Sequence, residues 1–254
     1  MTVSQPWLSA DHAVSVIVDN NAFTFYRRGE FPRLDLWAAR IARVAAGVRP
    51  RATSVTVVLP DCPLDPLRTL LWARQARWLC RHYQCMVVMH YDALAEEELE
   101  AVFETYVADV DADLYAVPLK LPLSKGYNSL ARRVSVDPKL QKHVVRVASR
   151  VVGGARLHLM APRKETVVSL WRNARSFDTT AWTRASARVK KLLKTISARD
   201  QRERELLFAL YVLSLAKAGV GIDADLVALA DAAAWGLARS LGLPEHVLQT
   251  LTAG

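Results

Sequence analysis

Short β-branched runs alternate with longer segments of helical period across the first 160 residues, and this alternation constrains the fold more than any other feature. The apolar runs are Ala13 to Val18, SVTVVLPD (54–61), CMVVMH (85–90), one within DADLYAVPL (111–119) and ARLHLMAP (155–162). Each is brief, nearly continuous in apolar residues and bounded by turn or polar residues, the pattern of a strand buried on both faces. Between them, Leu34, Trp37, Ala38, Ile41 and Ala45 form one helical stripe that ends near Gly47. A second helix opens at Asp65-Pro66 and runs to about Tyr83, with Trp72, Ala76, Leu79 and Tyr83 spaced for one face. Asp92 is placed to cap a third, in which Leu99, Val102, Phe103, Tyr106, Val107 and Val110 keep the period. Asp137 to Val152 is a basic helix stopped by Gly153-Gly154. Five such β/α units joined by short loops predict an α/β fold, a doubly wound and mainly parallel sheet of about five strands.

Past Pro162 the strand pattern stops. Helices are expected at about 165–175, 180–197, 201–218, 223–241 and 244–252, which divides the chain into an α/β domain over 1–162 and a helical domain over 163–254 packed on it. The longest apolar run, Leu206 to Ala216, closes at Lys217 and is too short to span a bilayer, so no transmembrane segment is expected. The start, MTVSQPWLSADH, lacks the features of a signal peptide. Cys62, Cys80 and Cys85 suggest no disulfide framework, and a reducing cytoplasmic setting is the expectation. The cluster Cys80, His82, Cys85 and His90 offers zinc ligands in principle. Its spacing across a predicted strand argues for ordinary packing instead.

Three predicted strands end in acids: Asp19, Asp61 and Asp92. Adjacent parallel strands lie about 4.8 Å apart, so acids at their carboxyl ends share one edge, where open α/β sheets collect ligands. Asp19 and Asn20 also suit a turn, Asp61 the loop into the second helix, and Asp92 a helix cap. The stretches VIVDNN, with Asp19 and Asn20, and VVMHYDALAEEELEAVF, with Asp92, resemble the PIN-like nuclease superfamily and its NYN branch over roughly residues 13–160. That resemblance implies a catalytic set of Asp19, Asn20 and Asp92, with Asp19 and Asp92 holding Mg²⁺ or Mn²⁺ in an active ribonuclease, and the strand-end Asp61 or Glu30 is a further carboxylate such an enzyme could recruit. It also implies a further acid after the fourth strand, beside the first. Here VPLKLPLSKGYNS supplies none, and Lys120 and Lys125 occupy the place, so the acidic site is expected to be incomplete.

Charge is the other signal. Residues 120–204 hold 21 Lys or Arg against 5 Asp or Glu, a net +16, and the rest of the chain carries −7 of the +9 total. Such asymmetry suits a nucleic-acid partner, with RNA favoured, or alternatively an acidic membrane or protein surface. The loop residues Lys120, Lys125, Tyr127, Arg132 and Arg133 combine phosphate-binding cations with close backbone approach at Gly126. Lys139, Lys142, Arg146 and Arg150 form a helical ridge, and Arg172 and Arg175 lie among the aromatics Trp171, Phe177 and Trp182. The segment RELLFALYVLSLAKAGVGIDADLVALADAAAWGLARSLGLPEHVLQTL is similar to TerB-type helical modules, which implies a packing or partner module, and its alanine-rich composition also suits a homo-oligomer face. The sequence thus favours a catalytically degenerate nucleic-acid-binding protein without a cofactor. An active Mg²⁺- or Mn²⁺-dependent ribonuclease and a basic scaffold are the alternatives.

Overall fold

In the computed structural model, residues 15–91, 98–122, 133–135, 138–178 and 201–243 are described, together with residues 245 and 249. The chain divides into two compact units, one of residues 1–162 with 172–178, the other of 163–171 with 179–254.

The first unit is built on a parallel sheet. Its elements begin with β1 (Ser15–Val18), α1 (Ala22–Arg28), α2 (Leu34–Val48), β2 (Ser54–Val58) and α3 (Pro66–Gln75). They continue with β3 (Gln84–Val88), α4 (Leu99–Asp109), β4 (Leu114–Pro118), a small antiparallel pair β5 (Lys120–Pro122) and β6 (Arg133–Ser135), and α5 (Pro138–Val152). The unit closes with β7 (Leu157–Met160) and β8 (Ser176–Asp178). The β-branched runs become strands because both faces are buried: Val57, Val87, Tyr115, Val117 and Leu159 on one face, Val58, Met86, Val88 and Ala116 on the other. Asp65 caps α3 as its sequence position suggests, accepting from the Arg68 N–H at 3.0 Å with Pro66 in the first turn.

The α/β class and the mainly parallel sheet stand, with six strands in the order β1-β2-β3-β4-β7-β8. A doubly wound sheet reverses its order part-way; this one does not. Every strand follows its neighbour, and right-handed crossovers between adjacent strands place successive helices on one face. In keeping with that, α3 packs on α4 and α4 on α5.

Two sequence expectations need correction. Residues after Pro162 were expected to be helical throughout, yet Ser176–Asp178 is the sixth strand, pairing parallel to β7 from His158 to Met160. Three residues with one bulky apolar side chain give no strand periodicity, so the pairing partner decides. Lys120 and Arg133 were expected in a loop; their backbones belong to the β5–β6 pair, with Lys120 opposite Ser135 and Arg133 opposite Pro122.

The second unit contains α6 (Lys164–Leu170), α7 (Gln201–Lys217) and α8 (Ala224–Ser240). Leu206, Ala209, Leu210 and Val212 of α7 pack against Ala230, Ala234 and Ala238 of α8, so this alanine stripe is buried inside a helical hairpin. Asp223 caps α8 by accepting from the Asp225 and Leu226 N–H groups. Gly221 lies against the Trp171 indole, and a Cβ there would come within 2.3 Å of the ring. No described helix is long and apolar enough to cross a membrane.

Candidate functional site

Three places gather chemistry-bearing side chains. The first is the carboxyl edge of β1, β2 and β3. Asp19 is exposed, and its Oδ1 accepts from the Asn21 N–H at 3.0 Å. Asn20 Oδ1 accepts from the Ala22 N–H at 2.8 Å, and Asn21 takes the left-handed conformation at φ 63° that Asn tolerates better than most residues. The Asp19-Asn20-Asn21 run is therefore a turn that launches α1. Trp37 holds it from above, its Nε1 donating to the Asn20 carbonyl at 2.7 Å.

Asn20 has a second task. Its Nδ2 donates to the Leu59 carbonyl at 2.5 Å and to Asp61 Oδ1 at 2.6 Å, while Asp61 Oδ2 meets His90 Nε2 at 2.6 Å. All three side chains are buried, and together they tie the carboxyl ends of three adjacent strands. The other ring nitrogen of His90, Nδ1, is buried and meets no partner among the described residues. Burial pushes the neighbouring Cys62 thiol up to about 11, so it stays protonated and unreactive at neutral pH.

This geometry does not fit a divalent-metal site. Asp61 spends both oxygens on protein donors out of reach of solvent, Asp19 is the one exposed acid at the ends of β1–β3 among the described residues, and Asp92 lies outside them. No group of three His, Cys, Asp or Glu side chains is placed to hold a metal ion among the described residues. The expected neighbour is also wrong. β1 is an edge strand, and β2 and β3 separate it from β4, which places the segment after β4 roughly 14 Å away at ordinary strand spacing. The first and fourth strands are therefore not neighbours, and Lys125 lies outside the described residues. The strand order itself removes the switch point at which such a crevice forms.

The second place is α5. Its inner face buries Val144, Val145, Val147, Ala148 and Val152, and the buried Gln141 Nε2 anchors the helix on the Leu119 carbonyl at 2.9 Å. Lys139, His143, Arg146 and Arg150 are exposed at steps of four, three and four residues, with Lys142 half-buried beside them. Arg150 is engaged by Glu100 of α4 through two contacts of 3.1 and 2.8 Å. Lys142 and Arg146 have no carboxylate partner among the described residues. Arg172 and Arg175 are exposed ahead of β8, whereas Lys125, Tyr127 and Arg132 lie outside the described residues.

The third place was not expected. Two adjoining clefts of about 1030 and 540 Å³ lie at the amino ends of β2, β3, β4 and β7, and both are lined by Cys80, Arg81 and Asp113. Arg74, Arg77, Trp78 and Arg156 line the larger one and Arg49 the smaller. The sequence signal was present in RQARWLCRHY (74–83), where cations alternate with aromatics. Helical spacing assigns Ala76 and Leu79 to a core stripe, and both are buried, which leaves Arg77, Trp78 and Arg81 outward. The turn Arg77–Arg81 that carries them is joined to β3 by a Cys80–Cys85 disulfide. The sequence suggests no disulfide framework, so this one bond is unexpected; it removes Cys80 and Cys85 from any zinc set and takes away the cysteine-usage argument for a reducing compartment.

Comparisons with protein-family models, with curated proteins and with solved structures give no match. The geometry alone carries the functional reading.

Proposed function

We propose that this protein binds nucleic acid and that the outward face of α5 contacts the phosphate backbone. The observation that carries this reading is the division of one helix into two faces. A valine face is sealed against the sheet, and a line of cations faces solvent with Lys142 and Arg146 free of carboxylate partners among the described residues. A solvated face needs no such line of one sign, whereas a phosphate chain is matched by cations at successive helical turns. The net +16 of residues 120–204 supports the same partner. The proposal does not rest on the PIN-like resemblance, since the first and fourth strands are not neighbours. Nor does it include hydrolysis, because Asp61 is committed to Asn20 and His90.

Binding of labelled RNA and DNA across a salt series tests it. Affinity should fall steeply with salt, and Lys142→Glu with Arg146→Glu should weaken binding at least tenfold and lower the log–log salt slope by about two. Unchanged affinity and slope in that double variant would remove α5 from the contact surface.

A further inference from the structure

We infer that the clefts at the amino ends of β2, β3, β4 and β7 form a second binding surface, and that it takes a single-stranded segment of nucleic acid. The inference rests on the nucleic-acid reading above and adds the strandedness of the ligand and a separate place for it.

Trp78 is 43% exposed, an unusual position for the largest apolar side chain, and it stands in a turn whose other outward residues are Arg77 and Arg81. An exposed indole among guanidinium groups suits a ligand that offers both a π face and negative charge. Bases in a single strand present that face; in a duplex the stack hides it. Arg156 is already set in place. Its guanidinium lies 4.9 Å from the Tyr115 ring centroid and donates to the Ala112 carbonyl at 2.6 Å.

Asp111 marks where the phosphate belongs. Its carboxylate is 3.9 Å from Arg77 Nη2 and 3.7 Å from Arg156 Nη2, longer than hydrogen bonds, and it is 82% exposed. A backbone phosphodiester, with two non-bridging oxygens, can displace this loosely held carboxylate and offer one oxygen to each guanidinium. Asp113 is turned to the strand start, its Oδ2 accepting from the Cys85 N–H at 2.8 Å, and it pairs with no cleft arginine among the described residues. Arg49 and Arg81 have no carboxylate partner among the described residues, so cations continue into the smaller cleft. The surface crosses the starts of four adjacent strands, which is the shape for a chain and not for a single mononucleotide.

The experiment uses the full chain with fluorescent uridine and thymidine homopolymers and a duplex of mixed sequence as probes. Trp78→Ala should weaken single-strand binding roughly tenfold, and Trp78→Phe should restore most of it, because a ring is what stacks. Arg77→Glu with Arg81→Glu should weaken it by at least as much. Asp111→Asn should tighten it, since a competing carboxylate is removed. All these side chains are exposed, and an unchanged thermal midpoint confirms that the fold is intact. Wild-type affinity for the single strands in Trp78→Ala and in the Arg77, Arg81 variant would overturn the inference, as would equal losses for the duplex. If those variants bind normally while the α5 variant does not, this inference fails and the α5 proposal stands. If the wild-type protein binds none of the probes, both fall.

Discussion

Asp61 is the residue on which the carboxyl edge depends. It is 5% exposed and receives a hydrogen bond from Asn20 while facing His90, residues 41 and 29 positions away. Asp61→Ala leaves the buried His90 ring with neither nitrogen partnered and Asn20 with one amide hydrogen unmatched. Each such loss costs about 1–3 kcal/mol, so the variant should lose about 3 kcal/mol of stability. Asp61→Asn keeps an acceptor toward Asn20 and a donor toward the ring, and should lose less than half as much. Urea unfolding of the two variants measures this, and equal losses would show that the hydrogen bonds are not what Asp61 contributes. The sequence exposed part of this site. Asp19, Asn20 and Asp61 are conspicuous because each follows an apolar run. His90 has the same offset after β3, two residues past its end as Asn20 is past β1, yet it was grouped with nearby cysteines. Nearness along the chain misled; equivalence of strand ends was the better guide.

Elements were legible where side-chain period determines them. The runs at β2, β3, β4 and β7 carry enough β-branched and apolar residues to declare themselves, and α5 reads directly from its alternation of valines and cations. Elements fixed by a distant partner were not legible. β8 is three residues, SFD, held by β7, and β5 exists because β6 pairs with it across residues that give no strand signal. The Arg77–Arg81 turn is of the same kind: period favours a continuous helix to Tyr83, but the chain turns to bring Cys80 to Cys85. A link across five positions removes little loop entropy from the unfolded chain, about 2 kcal/mol in the chain-entropy account. Reduction, or Cys80→Ser with Cys85→Ser, should therefore lower stability by about 2 kcal/mol without abolishing the fold. Thiol titration of the unfolded, unreduced protein should detect one reactive group, Cys62; three would mean that the bond does not form.

At the scale of the whole molecule, what the sequence could not carry was strand order. Both a reversing order and this sequential one satisfy the same alternation of strands and helices, and only tertiary packing chooses between them. The choice decides the site, since it makes β1 an edge and sets two strands between it and the fourth. The domain boundary follows from the same pairing. The chain leaves the sheet at Arg163, returns for residues 172–178, and leaves again, so a cut at residue 162 severs the sixth strand from its sheet. β8 covers β7 through more than its ladder. Ser176 Oγ lies 2.8 Å from His158 Nδ1, Asp178 accepts from the Ala161 N–H through both its Oδ1 and its carbonyl, and the Arg175 N–H donates to the Leu157 carbonyl. Without these residues His158, now 3% exposed, and the backbone edge of β7 face water or another chain. A fragment of residues 1–162 should therefore associate or unfold at lower temperature than one of residues 1–178, which keeps the strand. Size-exclusion chromatography and thermal midpoints compare the two. A 1–162 fragment as monomeric and as stable as 1–178 would mean that β8 contributes nothing to the sheet.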